Sequence, residues 1–270
     1  MQDFIIEKTN GVWLGYFPKL KELGINHAFT TKLHGESAIM QGALNMSLHV
    51  GDNADMVINN RQKVCEAMGV DFARLTTARQ VHGTNCVYID DKLAGRGKED
   101  FDDAIADTDA IFTDKEGIPL MLLFADCTPV IFANPKRGIV GAIHAGWRGT
   151  VDNITKNVLM KMEKEYGSMP EDTIVAIGPA IGPCCYKVDK TVYQAAEKNL
   201  AGFAELFKPV SDTEWIFDLW RTNEMQILRS GVKAENVLQA KVCTMCEKEL
   251  FFSHRADHGK TGRLAGIICL

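Results

Sequence analysis

Residues 141–150, GAIHAGWRGT, join the end of an apolar segment to the start of a polar one. The Gly-Ala-Ile portion is typical of a buried strand, and the Gly-Thr portion is typical of a helix start. A histidine, a tryptophan and an arginine lie between them. Polar and aromatic side chains at the tip of a strand commonly serve binding or catalysis. The stretch therefore predicts a strand, a turn and a helix, with a functional site at the turn.

Short apolar segments like this one recur along the chain. They are rich in Val, Ile and Phe and are bounded by Gly, Pro, Asn or Asp, which predicts strands. The predicted strands are residues 12–17, 26–30, 75–81, 86–89, 110–113, 120–124, 130–133, 139–144, 173–177, 237–241 and 264–269.

Four helices are predicted from apolar residues at helical spacing and from their flanking polar or glycine residues. They comprise a helix that carries Val57 and Met68 and stops at Gly69, a helix capped by Thr150 that ends at Gly167, residues 219–230 between Asp218 and Gly231, and residues 191–200. The strands outnumber the helices and do not alternate with them regularly, which favours an α+β fold, a layered α/β sandwich with mixed β-sheets. We find no repeat or linker, so a single domain over residues 1–270 is expected.

Composition excludes several classes of protein. The net charge of −5 argues against a nucleic-acid or anionic-membrane partner, since such partners favour a basic face. The N-terminal residues lack a basic segment followed by an apolar one, and the longest apolar run, residues 118–125, is too short to cross a bilayer. Eight cysteines in a chain of this length do not suggest a disulfide scaffold. We therefore predict a cytoplasmic protein with reduced thiols, and the sequence leaves its oligomeric state open.

His82, Cys127 and His144 each lie close to the end of a predicted strand. Strand ends can converge in a sheet, and two imidazoles with one thiolate form a suitable ligand set for Zn²⁺. Three protein ligands leave a fourth position for water, whose pKa zinc would lower. The residues therefore predict a catalytic zinc site.

Two other interpretations use the same residues. The first is a buried cysteine beside two hydrogen-bonded histidines, without a metal. The second is a thiol hydrolase, with Cys127 as nucleophile, His144 as base and Asp126 or Gln80 nearby. Cys127 precedes Thr-Pro rather than a clear helix start, so the sequence shows no source of thiolate stabilisation.

Four further cysteines occur as two pairs. Cys243 and Cys246 form a Cys-x-x-Cys motif, and Cys184 is adjacent to Cys185. A zinc ribbon needs two pairs with the spacing of the first, so the sequence favours unreactive thiols over a metal or redox site. We expect no disulfide between the adjacent cysteines, because it would be strained.

Two segments of the sequence carry basic residues that could bind an anion. Arg148 precedes the predicted helix start, whose N-terminus favours a negative charge. Arg255, Lys260 and Arg263 lie within FFSHRADHGKTGR, residues 251–263. Arginine forks suit phosphate, so these four residues are candidates for an anion site.

Several motifs together resemble a known family. HAGWRG (144–149), ADCTPV (125–130), QVHG (80–83), IGPAIGPCCY (177–186), TGR (261–263) and LNMSLHVGDNADMVINNR (44–61) are similar to those of the laccase-domain, or polyphenol-oxidoreductase, family, also called the peptidoglycan-editing-factor family. The resemblance covers nearly the whole chain and implies a layered α+β sandwich.

The resemblance also implies functional residues. His82, Cys127 and His144 match the family's metal ligands, which strengthens the prediction of zinc. Asn45, Ser47, Arg61 and Gln80 match polar positions lining the same cleft. The phosphate is expected at Arg148, Arg61 or Arg255. Ala256 departs from the family pattern, which has a second basic residue there.

The function that the resemblance implies is a zinc-dependent purine nucleoside phosphorylase that uses phosphate with adenosine, inosine or 5'-methylthioadenosine, and that also deaminates adenosine. The family's names suggest two alternatives, a Cys/His amide hydrolase that edits peptidoglycan precursors and a copper-dependent polyphenol oxidase. The chain has seven histidines and no His-x-His pair, which argues against a multi-copper laccase. The predicted ligand set could still accept Cu²⁺, which outcompetes zinc at many sites.

Overall fold

The computed structural model describes residues 4–270, which form fifteen strands and six α-helices. The strands are β1 (Ile5–Thr9), β2 (Val12–Tyr16), β3 (Asn26–Thr30), β4 (Thr76–Thr77), β5 (Cys86–Tyr88), β6 (Ala110–Thr113), β7 (Leu120–Phe124), β8 (Thr128–Asn134), β9 (Ile139–Ala145), β10 (Ile174–Ile177), β11 (Lys187–Asp189), β12 (Phe207–Pro209), β13 (Glu214–Phe217), β14 (Val237–Gln239) and β15 (Leu264–Cys269). The helices are α1 (Pro18–Glu22), α2 (Ala54–Met68), α3 (Trp147–Val151), α4 (Ile154–Tyr166), α5 (Lys190–Asn199) and α6 (Leu219–Arg229).

The strands form two large mixed sheets and a small antiparallel one. The first sheet has the order β1-β2-β3-β15-β7-β4, and its only parallel pair is β4 with β7. The second has the order β14-β10-β8-β9-β6-β5, with parallel pairs at both edges. The third joins β11, β13 and β12. The predicted α+β fold with mixed sheets is confirmed.

Burial on both faces of β7 shows how the layers stack. Leu120, Leu122 and Phe124 pack into the core shared by the two large sheets. Met121 and Leu123 point the other way and pack beneath α2, as the two-residue period of a strand requires. Helices α4 and α6 cover the outer face of the second sheet. The order of layers is therefore helix, sheet, sheet, helices, which agrees with the predicted sandwich.

The predicted helix signals are present, with one correction. The Asn53 side chain caps α2, and Gly69 ends it with a φ of 67°. Thr150 does not cap a helix, because α3 begins at Trp147 and the Thr150 hydroxyl donates to the Ala145 carbonyl. Asn153, with a φ of 61°, separates α3 from α4. The single helix predicted between Thr150 and Gly167 is therefore replaced by two helices, α3 and α4.

The predicted strand at residues 75–81 is also wrong in extent, since only β4 forms there. The backbone N–H groups of Val81, His82 and Gly83 donate to the Asp109 carboxylate instead of to a neighbouring strand. The third sheet was not predicted at all. Two of its three strands have only three residues, and their charged side chains are exposed, which leaves no apolar pattern to detect.

Within residues 4–270, no helix is both long enough and apolar enough to cross a membrane.

Stability should depend on pH through buried His27. Its Nε2 accepts from the Phe17 N–H at 2.9 Å, and its Nδ1 lies 3.0 Å from the Ile25 carbonyl oxygen. Burial lowers the pKa of His27 from 6.5 to about 4. As the pH falls below 6.5, the unfolded chain binds the proton first, so stability is lost between 6.5 and about 4. Between about pH 7.5 and about pH 4.5 the loss should be about 2–3 kcal/mol.

Urea unfolding of the wild type and of His27→Gln at both pH values checks this expectation. The variant should lose less stability than the wild type by that amount, because the other titrating groups are common to both proteins. Equal losses in the two proteins would show that His27 does not contribute.

Candidate active site

His82, Cys127 and His144 converge where the two large sheets meet. Their ligand atoms all lie within 4.8 Å of one another. Cys127 stands between β7 of the first sheet and β8 of the second, and His144 is near the end of β9. His82 lies in the loop after β4, with its Nε2 3.8 Å from the Cys127 Sγ. Three segments that are distant in sequence therefore supply one group of donors.

Asp109 positions two of these residues. Its buried carboxylate accepts from the His144 Nδ1 at 2.8 Å and from the backbone N–H of His82 at 2.9 Å. The bond to Nδ1 fixes the ring and leaves Nε2 as the nitrogen of His144 that could bind a metal. A carboxylate behind a histidine ligand is a common feature of zinc sites. Asp109 was not predicted as a site residue, because its only signal in the sequence is an acidic residue directly before an apolar strand.

The electrostatics of the donor set favour a metal-binding thiolate. Burial by itself would raise the pKa of the Cys127 thiol, but the His144 and His82 rings outweigh it and lower the pKa to about 6. Burial would likewise lower the pKa of His144, but Cys127 and Asp109 raise it to about 9. The thiolate is the form of cysteine that binds metals and acts as a nucleophile. The structure thus provides the thiolate stabilisation that the sequence did not show.

The residues fit a zinc ion by their chemistry and by the space between them. Two imidazoles and a thiolate match catalytic zinc sites, where a fourth position stays open. The absence of a side chain at Gly146 provides space beside these donors, since a Cβ there would lie 2.9 Å from the His82 Cδ2 and 3.1 Å from the Cys127 Sγ. Copper is compatible with the same donors.

Gly146→Ala should therefore weaken metal binding without disturbing the backbone. The residue has a φ of −66°, which alanine adopts freely, so the effect comes from the crowded ligands alone. We expect zinc affinity to fall by about 10-fold or more, as measured by competition with a chromophoric chelator. Gly83→Ala is the matched control, because its Cβ would make only ordinary contacts of 3.5 Å or more. Equal affinities in the two variants would contradict this explanation.

The donors lie in a cavity of about 410 Å³, within the range of small-molecule sites. Its walls combine aromatic, apolar, imidazole and guanidinium groups. The lining residues beyond the three donors are His49, Gln80, Leu123, Ala125, Asp126, Trp147, Arg148, Ile181, Tyr186, Leu219, His254, Arg255 and Arg263.

Three arginines face this cavity in different ways. Arg148 is exposed, and its guanidinium lies 4.4 Å from the centroid of the Trp147 ring. Arg255 donates to the Lys187 carbonyl, and Arg263 donates to the carbonyls of Thr261 and Gly262. Arg148 is thus the arginine with the most freedom to meet a ligand. The fourth basic candidate, Lys260, does not line the cavity.

The other predicted polar residues separate into two groups. Gln80 lines the cavity, but its amide exchanges two hydrogen bonds with the Leu123 backbone. Asn45, Ser47 and Arg61 do not line it. Arg61 is buried and donates to the carbonyls of Met46, Gly97 and Lys98, so it fastens loops together. Its burial removes it from the candidates for direct contact with phosphate.

Asn45 and Ser47 support the cavity from behind. Asn45 accepts from the backbone N–H of Arg263, and the Ser47 hydroxyl lies 3.0 Å from the His49 Nδ1. Both residues therefore position groups that line the cavity. His49 was not predicted as a site residue, and neither was Tyr186. Both stand inside motifs that were recognised, LNMSLHVGDNADMVINNR and IGPAIGPCCY.

Comparison with known proteins agrees with the motifs. The family model described as multi-copper polyphenol oxidoreductase laccase matches residues 26–270. The chain belongs to this family. The resemblance identified from the sequence is therefore confirmed.

Relatives in the family carry names of nucleoside enzymes. The purine nucleoside phosphorylase YlmD of Geobacillus stearothermophilus is 40% identical over 240 residues, which cover 88% of each chain. The adenosine deaminase RL5 of an unknown prokaryotic organism is 30% identical over 242 residues, 89% of this chain and 92% of that protein. The crystal structure of YlmD from Geobacillus stearothermophilus matches with a TM-score of 0.94 at 37% identity, covering 100% of this chain and 99% of that one. These similarities support an enzyme of this general kind.

Proposed function

We propose that the protein is a zinc-dependent purine nucleoside phosphorylase, with inosine and adenosine as substrates and 5'-methylthioadenosine as a further candidate. One observation carries the proposal: His82, Cys127 and His144 stand in a cavity that also presents aromatic walls and arginines. The names of the relatives support the same substrate class. Adenosine deamination is the second activity that we propose for this cavity.

The cavity has groups suited to each part of a nucleoside and a phosphate. Trp147 and Tyr186 offer aromatic surfaces for a purine. Burial raises the pKa of Tyr186, which keeps its hydroxyl protonated as a hydrogen-bond donor. Arg148 is the proposed phosphate ligand, because a guanidinium fork binds phosphate oxygens and this one is exposed to the cavity.

The proposed reaction displaces the purine from the ribose C1' by a phosphate oxygen. Arg148 would hold the phosphate, and the aromatic walls would orient the base, so that the two reactants meet in one cavity. His82, Cys127 and His144 would hold the zinc ion, whose contribution when bound is Lewis-acid polarisation and activation of water. Asp109 keeps His144 in the tautomer that this role needs.

A chromatographic assay tests the proposed function. Purified protein of known metal content receives inosine or adenosine, each with and without phosphate. Phosphate-dependent release of hypoxanthine or adenine is expected, and formation of inosine from adenosine without phosphate would add the deaminase. Zinc-loaded protein that forms no purine product would contradict the proposal.

Arg148→Ala should raise the KM for phosphate by about ten- to hundredfold, because a charge-assisted hydrogen bond contributes about 1.5–3 kcal/mol. Zinc content should stay unchanged, since Arg148 is not a ligand. Lys260→Ala is the matched control, because it removes an exposed cation outside the cavity. Steady-state kinetics with phosphate as the varied substrate measures both variants. A KM in Arg148→Ala equal to that of the control would rule out the assignment of Arg148.

A thiol hydrolase is the second candidate function, and one observation favours it. Asp109, His144 and Cys127 form a line of acid, base and thiol like that of cysteine hydrolases. This arrangement would suit the amide hydrolase that edits peptidoglycan precursors. The His82 Nε2, 3.8 Å from the same sulfur, has no part in such a line but completes a metal site. We therefore rank hydrolysis below phosphorolysis.

Copper-dependent phenol oxidation ranks third. It rests on the description of the family model and on the affinity of such donors for Cu²⁺. Laccases use several copper ions held largely by histidines, whereas the His82, Cys127 and His144 set has two histidines.

A further inference from the structure

Two pairs of cysteines that are distant from each other in sequence meet in the fold. Cys184 and Cys185 lie in the turn after β10, and Cys243 and Cys246 lie in the turn after β14. Their four Sγ atoms are all within 4.8 Å of one another. The sequence interpretation of unreactive thiols is thus incomplete, because the fold supplies the second pair that local spacing did not show.

The separations between the sulfurs fit a tetrahedral metal site. The Cys246 Sγ lies 3.4 Å from the sulfurs of both Cys184 and Cys185. A disulfide requires about 2.05 Å, so these thiols are not paired. Zn–S bonds of about 2.3 Å at tetrahedral angles place neighbouring sulfurs about 3.8 Å apart. Small shifts of exposed side chains would bring the cluster to that geometry.

A backbone group also prepares the cluster for a thiolate. The N–H of Gly182 donates to the Cys243 Sγ at 3.2 Å. Such a hydrogen bond favours the thiolate over the thiol. Four thiolates at such close range need a cation between them.

We propose that Cys184, Cys185, Cys243 and Cys246 bind a structural zinc ion. Thiolates are soft ligands that select zinc among the common divalent metals, and a Cys₄ set fills all four tetrahedral positions. No position remains for water or substrate, so this ion stabilises structure and does not react. The site is separate from His82, Cys127 and His144 and does not depend on the proposed function.

The zinc would brace the wall of the catalytic cavity. Next to Cys243, the Thr244 N–H donates to the Ala180 carbonyl, and the Thr244 hydroxyl donates to the Asp126 carboxylate at 2.6 Å. Asp126 precedes Cys127, and it holds a left-handed φ of 80° that few residues other than glycine adopt. Tyr186, which lines the cavity, directly follows the first cysteine pair. The metal would therefore fasten together two segments that shape the substrate site.

Elemental analysis of the full-length Cys127→Ala variant tests the proposal, because this substitution removes a ligand of the other site. After purification under reducing conditions without chelator, the variant should retain one equivalent of zinc. Adding Cys184→Ser and Cys246→Ser should remove it. Adding Cys65→Ser to Cys127→Ala instead is the matched control and should leave one equivalent of zinc. This buried thiol lies in α2, outside both proposed metal sites. Cys127→Ala without zinc, or with iron in its place, would overturn the proposal.

Cobalt provides a test that needs no substitution within the cluster. CoCl₂ added to metal-free Cys127→Ala should give the visible bands and sulfur charge-transfer bands of a tetrahedral tetrathiolate. Absence of the thiolate bands, or a mass lower by two hydrogens per cysteine pair, would contradict the proposal. Neither readout is an activity. A protein that contains this zinc but lacks nucleoside turnover would refute only the proposed function, and an active protein without it would refute only this inference.

Discussion

Cys127→Ala is expected to lose the catalytic metal and to lower kcat/KM for inosine phosphorolysis by about 10³-fold. The thiolate is one of the three proposed ligands, and the loss of a metal-assisted step costs about 4 kcal/mol of transition-state stabilisation. Because the side chain is small and the cavity is open beside it, the fold should be retained. Zinc content and steady-state kinetics are measured on the same preparation.

Two further variants make this result interpretable. Cys65→Ala removes a buried thiol outside the site and should keep both metal and activity. His82→Ala separates the metal account from the thiol-hydrolase account. If zinc is required, this variant should be as inactive as Cys127→Ala, whereas a Cys127 nucleophile with His144 as base would tolerate it. Full phosphorolysis by Cys127→Ala without zinc in this site would refute the metal mechanism.

Asp109→Asn should weaken zinc binding by about 10- to 100-fold and destabilise the fold by about 2–5 kcal/mol. The two carboxylate oxygens accept four hydrogen bonds, from the His144 Nδ1 and from the N–H groups of Val81, His82 and Gly83. An asparagine has one acceptor oxygen, so its NH₂ group would face buried donors. Both His144 and the loop that carries His82 would lose their positions.

Urea unfolding and zinc competition measure the two effects of Asp109→Asn. Asp107→Asn is the matched control, because the Asp107 side chain is 72% exposed and its left-handed φ of 47° suits asparagine. The control should behave as the wild type in both measurements. An Asp109→Asn protein with wild-type zinc affinity would show that the carboxylate does not position the ligands.

The sequence predicted those parts of the structure that local chemistry determines. Asn53 and Gly69 frame α2 because a side-chain cap and a left-handed glycine act within a few residues. The strand predicted within residues 141–150 does bring His144 close to His82 and Cys127. The candidate donors could also be predicted, because two imidazoles and a thiolate near strand ends form a suitable ligand set for zinc.

Other features depend on contacts between residues that are distant in the sequence, and they could not be predicted from it. In the sequence, Asp109 cannot be distinguished from any other acidic residue before a strand. Its role is evident only from the four hydrogen-bond donors that surround it in the structure. The motif around Arg61 suggests a phosphate ligand. In the structure, however, the Arg61 guanidinium donates to three carbonyl groups from other loops. The pairs that contain Cys184 and Cys243 lie together because their segments are joined by a β-bridge between Ala180 and Cys243 and by neighbouring hydrogen bonds. In each case a long-range contact decides the role of the side chain.

The most direct test of the central claim is phosphorolysis of inosine by one preparation of protein before and after zinc removal. Chelation followed by gel filtration should abolish phosphate-dependent hypoxanthine formation, and added zinc should restore it. A parallel experiment with Cys184→Ser/Cys246→Ser protein separates this result from any effect of the proposed structural zinc. This variant should also lose its activity on chelation and regain its own starting rate when zinc is added. Hypoxanthine formation at an unchanged rate by zinc-free wild-type protein would contradict the account.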